Sequence, residues 1–122
     1  MTDELKTSGE KDGSDRRAYV RIPAEIWVEE SRVGEIYFQR TTNVSEGGLF
    51  FEQTIPHPRG TVVNLKFGLP ESSTTIQCKG EVVNLPQTNE GLGMGIKFLD
   101  LSEDHKREII DFIKKSVSHG SV

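Results

Sequence analysis

Three arginines stand together where an acidic N-terminal stretch meets the first apolar alternation: Arg16, Arg17 and Arg21. A guanidinium is a planar fork of donors that grips phosphate oxygens in pairs, stacks on flat rings and reaches the O6/N7 edge of guanine. Arg17 and Arg21 lie four residues apart at the entrance to a strand, so both can close on one anionic ligand. A second group, Asn43-Val44-Ser45-Glu46-Gly47-Gly48, falls at a strand-to-strand turn. Asn43 and Ser45 offer short hydrogen-bonding side chains, and Gly48 leaves a place where no Cβ obstructs a flat ligand. These residue types also build ordinary hairpin turns, so the turn carries weight only beside the arginines.

Other reactive residues form no constellation. His57, His105 and His119 fall in a proline loop, on a helix face and in the C-terminal tail, at no metal-ligand spacing. The single cysteine, Cys78, sits on the apolar face of a strand with no base beside it in sequence, which fits core filling better than nucleophilic work. Gly91-Leu92-Gly93-Met94-Gly95 resembles a phosphate cradle only superficially, because a strand follows it and phosphate cradles open a helix. Alternating glycines in a strand mark tight curvature or close backbone approach. The chain therefore reads as a binding protein and not an enzyme, with no metal site.

The elements that must position the two motifs are strands. Val20, Ile22, Ala24, Ile26 and Val28 alternate with polar residues, giving a first strand with one buried face. Ile36–Thr41 and Leu49–Glu52 read as the second and third, interrupted by the Asn43–Gly48 turn. Ile55–Gly60, with two prolines, is a loop. Val63–Leu69, Ile76–Val82 and Leu92–Phe98 complete six, with turns at Glu71–Ser73 and Pro86–Glu90. Six short strands with no intervening helix cannot make a parallel sheet, so an antiparallel barrel or sandwich is expected. A C-terminal helix follows: Ser102 is its N-cap, Glu103 and Asp104 occupy the first turn, Ile109, Ile110, Phe112, Ile113 and Val117 keep helical spacing, and Gly120 follows the expected stop. Such a helix either covers a barrel mouth or binds a partner.

The net charge of −4 is unevenly spread. Residues 1–15 hold two lysines against five acids, while the rest is near neutral. So polar a stretch cannot offset its ordering entropy by burial, and we expect a disordered tail. An acidic chain argues against coating DNA or RNA, but the arginine cluster leaves one place for a small anion. There is no apolar run long enough for a bilayer and no apolar segment near the N-terminus, so membrane insertion and secretion are not expected and a cytoplasmic location is.

Taken together, Arg17-x-x-x-Arg21, Asn43-x-Ser45-x-x-Gly48, the Gly91–Phe98 strand and the closing helix resemble the PilZ domain family of bacterial cyclic di-GMP receptors. The likeness spans about residues 16–115, and it sets the expected organisation: a tail over 1–15, a PilZ domain over 16–117 and a short tail over 118–122. It implies a six-stranded antiparallel β-barrel with a C-terminal helix. It also implies that Arg17 and Arg21 hold the ligand's phosphates and guanine edges while Asn43, Ser45 and Gly48 receive a guanine. Arg16, just ahead of the pair, goes with two intercalated cyclic di-GMP molecules per chain in family members built this way. Binding would order the N-terminal segment and signal to an effector protein in motility or exopolysaccharide and biofilm control. Asn43 stands where the family often has Asp, which removes one acceptor oxygen. Two other readings stay open: a PilZ-type module that binds partners without ligand, and a small nucleic-acid-binding barrel, for which Trp27 and Tyr37 supply few stacking rings.

Overall fold

Two long strands, each bent in the middle, decide the architecture. The structure is a computed structural model and describes residues 20–88 and 91–120. Its strands are β1 (Arg21–Pro23), β2 (Trp27–Arg32), β3 (Glu35–Arg40), β4 (Asn43–Ser45), β5 (Gly48–Phe51), β6 (Val62–Gly68), β7 (Thr75–Asn84), β8 (Gln87–Thr88), β9 (Gly91–Leu92) and β10 (Met94–Phe98), followed by helix α1 (Glu103–Gly120). Eight of them form one antiparallel sheet in the order β1-β4-β5-β10-β7-β6-β2-β3, and β8 pairs with β9.

That order returns to its start. The β1 strand runs into β2 through Ala24–Ile26, and β3 into β4 through Thr41 and Thr42. Across the bend Ala24 N–H donates to Thr42 O (3.0 Å) and Thr41 N–H to Ile26 O (3.0 Å). Three residues of one strand thus face two of the other, a bulge that turns the ribbon sharply. Buried Thr41 clamps it: its hydroxyl accepts from Ile26 N–H (3.0 Å) and donates to Ala24 O (2.6 Å). Counting each bent strand once leaves six strands in this barrel-like sheet, and the strand count exceeds the expected six by β8, which lies where the sequence predicts the Pro86–Glu90 turn. The first expected strand is therefore split, and Asn43–Ser45, expected as a turn, is a paired strand (β4) with the reversal at Glu46 and Gly47.

Period-two alternation fills the interior with Ile22, Ile26, Val28, Val44, Leu49, Phe51, Val63, Leu65, Phe67, Ile76, Val82, Met94 and Ile96. Ile109 and Ile113 of α1 are buried in the same core, and the helix packs on β1 and β4, so it covers the barrel. Ser102 caps it, its hydroxyl accepting from His105 N–H (3.1 Å), as the sequence predicts. The helix runs to Gly120, past the expected stop. It is too polar to cross a membrane, as is any helix among the described residues.

One polar cluster sits inside. Glu30 has the inward phase of Ile26 and Val28 and is fully buried. Its carboxylate accepts from Gln39 Nε2 (2.5 Å) and meets His57 Nε2 (2.5 Å), while Thr54 Oγ1 bonds Gln39 Oε1. These contacts tie the Ile55–Gly60 proline loop to the barrel.

Candidate functional site

The outer face of β1, β4, β5 and β10 collects what the sequence singles out. In an antiparallel ladder, directly opposed residues point to the same side. One row across the face runs Arg21, Ser45, Gly48, Lys97. The next runs Pro23, Asn43, Phe50, Gly95 and then Asn84 of β7. Asn43 and Ser45 share this face because they are two apart in a strand, and the intervening Val44 points into the core. The spacing of the second motif is thus a strand period.

Arg21 reaches diagonally over β4, and its Nη1 donates to Asn43 Oδ1 at 2.6 Å. The two motifs are joined before any ligand arrives. Among the described residues that bond takes one of the five guanidinium donors. Ser45 is enclosed, 1% exposed, and its hydroxyl accepts from Gly47 N–H (3.2 Å), which fixes the reversal. Lys106 of α1 lies 4.0 Å from Glu46, and Phe98 N–H donates to Gly47 O (2.9 Å), so the turn is held from two sides.

Gly48 has a different reason from the one its motif suggests. A Cβ there would lie 2.0 Å from Ile96 O, inside the β5–β10 ladder. The glycine lets two strands approach, whatever it also does for a ligand. Of the alternating glycines, Gly93 (between β9 and β10) and Gly95 (in β10) mark close approach: a Cβ on Gly93 would be 2.8 Å from Phe50 Cζ, and one on Gly95 3.2 Å from Asn84 Cβ and 3.5 Å from Phe50 Cδ1, whereas Gly91 has open space around it and a φ of +135°.

A groove of about 1090 Å³ opens over this face, bordered by Arg21, Asn43, Phe50, Lys97 and Lys106. Arg21, Lys97 and Lys106 share its lining with Glu46 and Glu103, and Lys106 is paired with Glu46, so Arg21 and Lys97 are the cations placed to meet an anionic ligand. A second groove, about 890 Å³, lies between the Pro70–Thr74 turn and α1 and contains no residue of either motif. Arg16 and Arg17 fall outside the described residues, so of the expected ligand-binding set the structure brings together Arg21, Asn43, Ser45 and Gly48. Sequence reading passed over Phe50, Lys97 and Lys106. Phe50 had a signal: it is the one large apolar residue on the outward phase of Leu49-Phe50-Phe51.

The remaining reactive groups stand apart from the groove. Cys78 is buried, and burial first, then the nearby Asp100 charge, pushes its thiol up to about 12. Tyr37 donates to Glu35 Oε1 (2.9 Å), and that bond and charge raise its hydroxyl's pKa. Among the described residues no group of histidine, cysteine and carboxylate side chains is placed to hold a metal ion.

Solved structures of other proteins share this fold. The Bacillus subtilis inhibitor of motility MotI/DgrA matches with TM-score 0.73 at 20% identity, over 84% of this chain and 52% of that one. Escherichia coli YcgR in complex with c-di-GMP matches with TM-score 0.70 at 14% identity, over 87% and 48% of the two chains. The PilZ domain of YcgR with c-di-GMP matches with TM-score 0.64 at 15% identity, over 87% and 94%. The chain thus spans about half the length of the first two, and at these identities the likeness is one of fold. No curated protein matches the chain. The PilZ domain family model matches residues 15–115, and the chain belongs to that family.

Proposed function

We infer that this chain is a cytoplasmic receptor for cyclic di-GMP and not an enzyme. The observation that carries the reading is the Arg21–Asn43 hydrogen bond, which presents a guanidinium fork beside an amide in a groove that Lys97 also lines. The solved relatives include a motility inhibitor and two c-di-GMP complexes, which favours the same ligand and a motility-related output here.

In this mechanism Arg21 binds a phosphate or the O6/N7 edge of a guanine with its other donors, while Asn43 keeps its side chain in place. Holding that rotamer in advance avoids about 0.5–1.5 kcal/mol of ordering on binding. Arg16 and Arg17, only a few residues ahead, complete the clamp, and Arg16 provides for a second ligand molecule. Closing them on the ligand orders the N-terminal segment, and the new surface is shown to an effector protein in motility or exopolysaccharide and biofilm control.

Thermal unfolding with and without cyclic di-GMP tests the reading. A ligand that binds only the folded state raises the midpoint with concentration. The rise should shrink as salt increases, because phosphate contacts release counter-ions. A midpoint unmoved at millimolar ligand would leave the ligand-independent interaction module as the better account.

A further inference from the structure

The geometry points to Phe50 as the surface on which a guanine of the ligand stacks, an assignment that rests on the cyclic di-GMP reading above. Phe50 is out of keeping with its strand. Its neighbours Leu49 and Phe51 are 1% and 0% exposed inside the barrel, whereas Phe50 points outward and is only partly covered. What lies beside it explains its position. Its register partner on one side is Asn43 and on the other Gly95. The ring leans toward β10, over Gly93 and Gly95, where a Cβ would meet Phe50 Cζ at 2.8 Å and Cδ1 at 3.5 Å. Bare backbone thus seats the ring, and no β10 side chain rises between it and the groove at those two positions.

The seat sets a direction. Strand order across this face is β1, β4, β5, β10, so the ring leans away from Arg21 and Asn43 while bordering the same groove. A flat base laid on Phe50 turns one edge toward β4 and β1. Waiting there are a guanidinium, which donates to acceptors such as O6 and N7, and an amide. A stacking plane with donors along one side suits a purine bearing edge acceptors. Lys97 is exposed one row over, within the same groove, and offers charge to a phosphate beside the base.

Three variants and one spectrum test this. Phe50→Leu keeps apolar bulk and removes the π face, so calorimetry should show cyclic di-GMP binding weakened about 5- to 20-fold, in line with base–aromatic stacking energies. Phe50→Tyr keeps the ring and should stay within about twofold of wild type, by the same reasoning. A ligand stacked on the ring should show nuclear Overhauser contacts from a guanine proton to the ring protons of residue 50 in wild type and Phe50→Tyr. Should Phe50→Leu fail to fold, those contacts in wild type decide alone. Unchanged affinity in Phe50→Leu with no such contact in wild type overturns the stacking role. If Arg21→Ala still abolishes binding in that case, the receptor reading stands without it. Absence of binding by wild type overturns both.

Discussion

Replacing Asn43 by Asp should tighten cyclic di-GMP binding, and the Arg21 contact says by how much. In the wild type the single amide oxygen of Asn43 already accepts from Arg21 Nη1 at 2.6 Å. A guanine that brings N1–H and N2–H donors must share that oxygen or meet the amide's own N–H groups. A carboxylate has two oxygens, so one stays with Arg21 and the other accepts from the base. Exchanging a neutral for a charge-assisted hydrogen bond gains about 1–1.5 kcal/mol. Against this stands repulsion from the ligand's phosphates, about 0.5 kcal/mol per phosphate at roughly 8 Å in water and less once salt screens it. The net is about 0.5–1 kcal/mol, or roughly twofold to sixfold in Kd. Calorimetric titration of both proteins at one ionic strength measures it. Weaker binding by Asn43→Asp would refute the reasoning and show that the carboxylate withdraws Arg21 from the ligand.

Three further outcomes are expected. Gly48→Ala puts a methyl 2.0 Å from the Ile96 carbonyl oxygen, so the β5–β10 ladder must part; chemical denaturation should show a loss of about 3 kcal/mol or more, and a loss under about 1 kcal/mol would contradict the packing account. His57→Ala leaves fully buried Glu30 without one hydrogen-bond partner and should cost about 1–3 kcal/mol, read by chemical denaturation; a loss under about 0.5 kcal/mol would contradict the role given to this contact. Cys78, with its thiol pushed up to about 12, should resist alkylation in the native state at pH 8 and react fully once unfolded. The folded thiol's pKa is raised above the ordinary 9.0, so its contribution to stability is intact below pH 9.0 and is lost as pH climbs toward about 12. Denaturation midpoints across that range should fall in wild type and fall less in Cys78→Ala.

The antiparallel β fold was legible because alternation survives translation into structure. Ile22, Ile26 and Val28 keep one parity through the bulge, so the sequence shows a single strand where the backbone turns. The extra residue at Ala24–Ile26 is visible only against its partner, Thr41 and Thr42, which no local pattern identifies. Asn43–Ser45 was hidden for the opposite reason: turn-forming residue types are held in a strand by pairing on both sides, with β1 and β5. The Glu30 cluster draws on residues 30, 39, 54 and 57. Glu30 continues the inward parity of Ile26 and Val28, but the sequence reading stopped its strand at Val28, and the partners of Glu30 come from a separate strand and a loop, meetings that have no signature in spacing. The glycines were legible as close approaches, but which ring lay against Gly93 and Gly95 required the register of β5 on β10.

The central claim is most directly tested by calorimetric titration of wild type and Arg21→Ala with cyclic di-GMP. The account predicts saturable binding at two ligands per chain in wild type. In Arg21→Ala it predicts a loss of about 30-fold or more, since a charged, hydrogen-bonded partner of phosphate is worth roughly 2–5 kcal/mol when truncated. Equal affinity in the two proteins, or no heat of binding in wild type, would contradict it.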